Sequence, residues 1–334
     1  IIGAQSLINA GVPNRVVALK NGTMGWHLAG LTLAHGETRH AGDPSPEGIA
    51  KARTAASDVA RRAGVRAIDR ETLQRFRREH KEKTLYVFDV RTPEEYVAGH
   101  LAGARSAPGG QLVQATDAYM ATRSARVVLV DREGVRAPMT GSWLRQMGLE
   151  EVYVLDRVEG LLETGPEVLR YFGRGDDVPM IGPKALAPLV AQGEAVVVDL
   201  EGSLAYRERH IPGAWFAIRA RLDIALPRLP ERGMLVLTSR DGDLAALAVP
   251  DLAALTERPV KLLSGGTNGW ARTGLPLVSG EEHMADAPID AWYRPYDKGS
   301  GVEAAMNAYL SWEVALVEQI ARDGDARFRT LAPR

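Results

Sequence analysis

Short, uniformly apolar runs punctuate the chain at residues 85–90, 127–130, 195–200 and 235–238. Runs of this kind suit strands buried on both faces. Helical patterns lie between them. One covers 142–147 and is closed by Gly148; another covers 69–80, where Asp69 caps the first turn and Glu71 adds negative charge at the positive end of the helix dipole. Alternating strands and helices predict an α/β fold whose mainly parallel, doubly wound sheets are flanked by helices.

The pattern repeats. Residues 89–108 and 199–218 agree at a spacing of 110 in Asp89/Asp199, Tyr96/Tyr206, His100/His210, Gly103/Gly213 and Ala104/Ala214. A second signature, Gly-Thr-x-Gly-Trp after a short apolar strand, occurs at 19–26 and 263–270, with a degraded version at 155–161. These repeats divide the chain into tandem modules at 65–172 and 180–280, joined by a polar linker at 173–179. Residues 1–33 hold only the last third of such a module: a helix ending at Gly11, a strand through Leu19, and a turn. In that turn, and in its copy at 263–270, Gly25 and Gly269 are expected in left-handed conformations, with Trp26 and Trp270 as aromatic plugs. A helical connector fills 34–64, with Ser45 as cap, Pro46 in the first helical position and an end before Gly64. From 281 to 334 runs an arm ending in a helix, where Met306, Leu310, Val314, Val317 and Ala321 share one side and are expected to pack on a module.

Composition narrows the chemistry. The 334 residues carry 41 Lys plus Arg against 42 Asp plus Glu, so no overall field attracts nucleic acid or an anionic membrane surface. No apolar run reaches the roughly 20 residues of a membrane helix, and no charged-then-apolar leader opens the chain, so a cytoplasmic location is expected. The cysteine count is zero, which excludes disulfides, thiolate metal sites and cysteine nucleophiles from these residues. The histidines lack metal-ligand spacing, and no cofactor or metal is expected. The chain opens on Ile1 and not Met, as a processed product or a piece of a longer polypeptide would.

In a doubly wound sheet, sites lie beyond the carboxyl ends of the strands, which points to the loops after Val130 and Thr238. They read Asp131-Arg132-Glu133-Gly134-Val135-Arg136-Ala137 and Ser239-Arg240-Asp241-Gly242-Asp243-Leu244-Ala245. Together with the Asp-Val-Arg, Glu-Tyr-x-x-Gly-His-x-x-Gly-Ala and Gly-Gly-x-x-Gly-Trp signatures, these loops resemble the rhodanese family of sulfurtransferases over nearly the whole chain to about residue 280. The family's loop is Cys-Arg-x-Gly-x-Arg. Its cysteine carries a persulfide from thiosulfate or another donor to an acceptor such as cyanide or a thiol. Backbone N–H groups at a helix N-terminus stabilise such an anion, and flanking arginines gather an anionic donor.

The resemblance implies that the first module keeps Arg132, Gly134 and Arg136 but has Asp131 in the nucleophile's place. The second keeps Arg240 and Gly242, with Ser239 for the cysteine and Leu244 for the last arginine. Neither loop can form a cysteine persulfide. The Asp131 carboxylate is expected where the persulfide would sit, held by the same N–H groups and by Arg132 or Arg136, so that it repels other anions. The neutral Ser239 pocket could hold a small anion, although Glu201 stands where the first module has Arg91 and would oppose one. Asp89 and Asp199 are expected to brace the active loop through backbone N–H groups, and His100 and His210 to brace loops by hydrogen bonds. The implied function is a tandem rhodanese-like protein that lacks the cysteine and serves as scaffold or regulator for an upstream sulfurtransferase module. A non-catalytic interaction protein with vestigial anion pockets is the alternative. Expected partners are a small anion or sulfur donor or acceptor, the upstream module or another protein.

Overall fold

The computed structural model describes residues 1–39, 41–156, 162–168, 172, 173 and 177–331. The degraded signature beyond Asp156 and the middle of the linker at 173–179 lie outside the described residues. The chain divides into two units: Ile1–Val168 with Glu303–Arg334, and Leu169–Val302. The terminal helix thus groups with the first unit, while the arm up to Val302 groups with the second.

In the first unit the order is α1 (Ile2–Ala10), α2 (Gly22–Leu28), α3 (Pro46–Ala63), β1 (Arg66–Ile68), α4 (Arg70–Arg78), β2 (Leu85–Asp89), α5 (Pro93–Ala98), β3 (His100–Leu101), β4 (Arg105–Ser106), α6 (Gly109–Gln114), α7 (Thr116–Tyr119), β5 (Arg126–Val130), α8 (Arg136–Gln146), β6 (Val152–Leu155) and β7 (Leu162–Glu163). The second contains β8 (Met180–Ile181), α9 (Pro183–Ala191), β9 (Ala195–Asp199), α10 (Ser203–Glu208), β10 (Trp215–Phe216), α11 (Leu222–Ala225), β11 (Met234–Thr238), α12 (Asp243–Ala253), β12 (Val260–Leu263) and α13 (Gly266–Arg272). The last helix is α14 (Val302–Asp323).

Each unit is built on a five-stranded parallel sheet, in the orders β1-β6-β5-β2-β4 and β10-β9-β11-β12-β8. These are one topology repeated. Strand side chains alternate between two cores. In the first sheet Val127 and Leu129 join the cluster against α6 and α8, while Val128 and Val130 join the one against α4. The second sheet divides in the same way, with Val196 and Val198 on one face and Val197 on the other. Burial on both faces explains why the strands read as unbroken apolar runs.

Helix ends follow their local chemistry. Ser45 Oγ accepts from the Gly48 amide at 3.0 Å, Pro46 opens α3, and Gly64 closes it at φ 76°. The Asp69 carboxylate accepts from the Thr72 amide at 2.8 Å, and this bond holds its pKa below the usual value. Helix α8 starts at Arg136, six residues before the pattern over 142–147.

Three expectations fail. Residues 14–19 form no strand, because no described strand pairs with them. Gly25 and Gly269 are helical; the left-handed positions are Asn21, Gly22, Gly265 and Gly266. Small size at Gly25 and Gly269 is required by proximity, since a Cβ would come within 2.7 Å of the Lys20 carbonyl oxygen or 2.6 Å of that of Ser264. The stripe on α14 is not packed down: Met306 is buried, but Val314 and Val317 are exposed. Among the described residues no helix is long and apolar enough to cross a membrane.

Leu129 is fully buried and Val314 is 77% exposed. In urea denaturation, Leu129→Ala is expected to destabilise the protein by about 2–5 kcal/mol, whereas Val314→Ala changes stability by no more than about 0.5 kcal/mol.

Candidate functional site

Strand β5 carries Asp131, nine-tenths buried, to the N-terminus of α8. Its carboxylate accepts four backbone hydrogen bonds: from Gly134 at 2.9 Å on Oδ1, and from Val135, Arg136 and Ala137 at 2.9, 2.6 and 3.1 Å on Oδ2. These are donors that an α-helix cannot satisfy internally, and they converge where the dipole favours negative charge. Gly134, at φ 69°, makes the reversal that turns these amides inward. The cradle is therefore filled by an anion of its own chain.

The guanidinium groups do not join it, contrary to the expectation for Arg132 and Arg136. The Arg136 head forks onto Glu95 at 2.6 and 2.7 Å and reaches Glu133 at 3.0 Å; only its backbone N–H meets Asp131. Arg136 lowers the Glu95 pKa to about 2, and Glu95 in turn raises that of Arg136. Glu95 is pre-positioned, because it is also the third residue of α5 in a capping box with Thr92. Arg132 reaches the Gly99 carbonyl at 3.3 Å. Arg91 is buried, pairs with Asp89 at 2.6 Å and donates to the Gly99 carbonyl at 2.7 Å. From α3, Arg53 Nε donates to the Glu133 carbonyl at 2.7 Å. A cavity of about 300 Å³ opens nearby, lined by Thr92, Pro108, Gly110, Arg136 and Met139, and its one guanidinium not held by Asp89 is tied to two glutamates.

The second loop has the same backbone plan and different chemistry. Ser239 is buried, and its Oγ accepts from the Ala245 amide at 3.3 Å. Gly242 reverses the chain at φ 92°, and Asp241 Oδ1 takes the Asp243 amide at 2.9 Å. Helix α13 is tied to the loop: the Thr267 amide donates to the Ser239 carbonyl and the Asn268 amide to that of Arg240, both at 2.9 Å. A Cβ on Gly266 would collide with the Ser239 carbonyl and the Gly242 amide, so only glycine permits this approach. The Arg240 amide donates to Glu201 at 2.8 Å.

The cavity beside this loop, about 280 Å³, is lined by Asp199, Glu201, Glu208, Arg209, Arg240 and Thr267. Three carboxylates thus face two guanidinium groups, an environment that opposes the small anion expected there. Burial pushes the Asp199 pKa up to about 7, and the Glu201 charge adds to this against the Glu201 amide, which donates at 3.0 Å. Its repeat mate Asp89 has Arg91 beside it; Asp199 has Glu201 in that place.

The remaining expected residues bond to their own neighbourhoods, and Asp199 also lines the cavity of the second loop. Asp89 and Asp199 hold the amides two residues ahead, of Arg91 and Glu201, and do not reach the 131 or 239 loops. His100 and His210 stack on Tyr96 and Tyr206 at 3.7 and 3.9 Å, and their Nδ1 atoms meet the same tyrosines' carbonyls. Those tyrosine hydroxyls donate to the Ala104 and Ala214 carbonyls, closing each Gly-Ala turn. Sequence reasoning missed Glu95, Glu133 and Arg53. The Thr92-Pro-Glu-Glu95 capping signature was a visible signal for the first. Among the described residues no group of three or more His, Asp or Glu could hold a metal ion.

Opposite effects follow for two aspartates. Asp131→Asn removes the charge from four charge-assisted bonds and is expected to lower stability at pH 8 by about 1–3 kcal/mol. Asp199 has a folded-state pKa near 7 against an ordinary 3.8, so the folded state holds a proton that the unfolded chain has released. Its penalty is absent below about pH 4, grows as pH rises, and is complete above about pH 7. Asp199→Asn is therefore expected to raise stability by about 2–4 kcal/mol at pH 8 and to flatten the pH dependence of thermal melting between pH 4 and 8.

A model of the rhodanese-like domain matches residues 72–157 and 182–273. The crystal structure of a thiosulfate sulfurtransferase from Pseudomonas aeruginosa is 46% identical over 99% of this chain, with a TM-score of 0.92, and this chain spans 63% of its length. A protein of unknown function from Rhodopseudomonas palustris is 23% identical over 30% of this chain and 85% of its own, with a TM-score of 0.27. A rhodanese-related protein from Thermoplasma volcanium is 19% identical over 30% and 97%, also at 0.27. No curated protein matches the chain. Two matched segments coincide with the two repeated sheets and the loops after β5 and β11, and on this ground the chain belongs to the rhodanese-like family.

Proposed function

We propose that this chain is the non-catalytic part of a thiosulfate sulfurtransferase, in which its two cysteine-free modules act as scaffold or regulator for a sulfurtransferase module upstream. The observation that carries the reading is the Asp131 carboxylate on the Gly134, Val135, Arg136 and Ala137 amides. A persulfide is formed when a thiolate attacks the outer sulfur of thiosulfate, the S–S bond breaks, and sulfite leaves with the electron pair. The chain has no cysteine to attack, and in the first module the anion position is already occupied. Like charge there opposes thiosulfate.

The second module supports a scaffold role by another route. Leu244 and Glu201 stand where the first module has Arg136 and Arg91, so two cations that would gather a dianion are missing, and the Arg209 and Arg240 that line its mouth are outnumbered by three carboxylates. The exposed Trp312, Val314 and Val317 on α14 favour the second reading, a protein-binding role without turnover.

A gain-of-function pair tests the assignment. The 334-residue chain is expected to show no thiosulfate-to-cyanide turnover. Asp131→Cys restores the complete Cys-Arg-x-Gly-x-Arg loop on an intact amide cradle. After incubation with thiosulfate it is expected to gain the mass of one sulfur atom, at a rate about tenfold or more above that of Ser239→Cys. Turnover by the unaltered chain, or loading of Ser239→Cys as fast as Asp131→Cys, contradicts the assignment.

A further inference from the structure

Residues 19–32 repeat the local geometry of 263–276 at a spacing of 244 in their turn and helix. Asn21 and Gly22 take left-handed φ values of 57° and 59°, as Gly265 and Gly266 do at 71° and 61°. The amides of Gly25 and Gly30 bond the carbonyls of Asn21 and His27, as those of Gly269 and Gly274 bond Gly265 and Ala271. Trp26 Nε1 donates to the Thr32 carbonyl at 2.9 Å, and Trp270 Nε1 to that of Pro276 at 2.9 Å. Helix α1 stands where α12 stands, and residues 16–19 stand where β12 stands.

The surroundings differ. Strand β12 lies between β11 and β8, with Leu262 and Leu263 buried. Residues 14–18 make no backbone hydrogen bond with any described residue, and Val17 and Leu19 are 71% and 56% exposed. The apolar side chains Ile2, Leu7, Ile8 and Val12 are also exposed beside them. A segment with the apolar pattern of a strand, exposed side chains and no backbone partner among the described residues is a template for pairing. The helices on either side of it are anchored: Arg62 of α3 donates to the Asn9 carbonyl of α1 at 2.6 Å, Trp143 of α8 to Ser6 of α1 at 2.9 Å, and His27 of α2 lies 3.9 Å from Glu303.

We infer that residues 16–19 are the strand on which a third rhodanese-like unit closes its parallel sheet, that unit's other strands coming from upstream residues of a longer polypeptide. The inference deepens the proposed function and rests on it for the nature of the partner. The repeat itself states what covers this face: two parallel strands, as β11 and β8 flank β12. The Pseudomonas aeruginosa protein, of which this chain spans 63%, has length to spare for them. Helix α1 then follows the anion loop of the upstream unit. At the same spacing Ile1 corresponds to Ala245, which puts that unit's nucleophile position six residues before Ile1. Helix α3 touches both sides of this junction, holding α1 through Arg62 and the Asp131 loop through Arg53.

The test is hydrogen exchange at residues 16–19 in the 334-residue chain and in the polypeptide encoded by the full reading frame. Amides there are expected to exchange freely in the former and about 100-fold or more slowly in the latter. Leu19→Asp is expected to leave the melting temperature of the 334-residue chain unchanged and to lower that of the longer polypeptide. Equal exchange in both, a reading frame without upstream strands, or protection that grows with the concentration of the 334-residue chain alone, as a second copy would produce, overturns the inference. Thiosulfate-to-cyanide transfer is measured separately: protection without transfer sustains the strand assignment and refutes only the proposed function.

Discussion

Four backbone N–H groups in the loop and first residues at the N-terminus of α8 must find acceptors, and everything at the first site follows from which acceptor they have. A helix N-terminus at the carboxyl end of a central parallel strand concentrates donors and positive potential in one small volume. The Asp131 carboxylate occupies that volume with all four contacts at 2.6–3.1 Å. The loop keeps the shape of an anion-binding device while its ligand is part of the chain. The nearby guanidinium of Arg136 is correspondingly held by Glu95 and Glu133, and is not presented to a donor molecule.

The two modules show how one backbone plan tolerates opposite electrostatics. Position 91 is arginine and its mate 201 is glutamate; position 136 is arginine and its mate 244 is leucine. In the first module this gives a compensated network, where Arg91 balances Asp89. In the second it leaves Asp199 buried next to a like charge, with its pKa driven to about 7. The second loop closes by other means: Asp241 takes one amide, and α13 binds the Ser239 and Arg240 carbonyls. The two loops therefore oppose an external anion in different ways, the first by holding the Asp131 carboxylate on its amides and the second by lining its mouth with three carboxylates against two guanidinium groups.

The repeat made much of the fold legible. Strands β2, β5, β9 and β11 announce themselves because burial on both faces leaves no polar position, and the caps at Ser45 and Asp69 because side-chain oxygens there answer specific amides. The placement of Asp131 on its amides was readable from the resemblance of its loop to the family's. Its guanidinium partners were not, since a long side chain chooses among acceptors that only the folded structure brings near, such as Glu95 from α5. Residues 14–19 read as a strand because their apolar pattern is that of one; a strand also needs neighbours, and pattern says nothing about whether those are present. The stripe on α14 failed for the same reason, because an amphipathic face records a tendency to be covered and not what covers it.

The central claim is that the amide cradle of the first module is closed to external anions by Asp131. The direct measurement is a thiosulfate titration followed by the backbone amide resonances of Gly134, Val135, Arg136 and Ala137, in the unaltered chain and in Asp131→Ala. The account predicts that these resonances stay fixed in the unaltered chain and shift saturably once the carboxylate is removed. A saturable shift with Asp131 in place would contradict it.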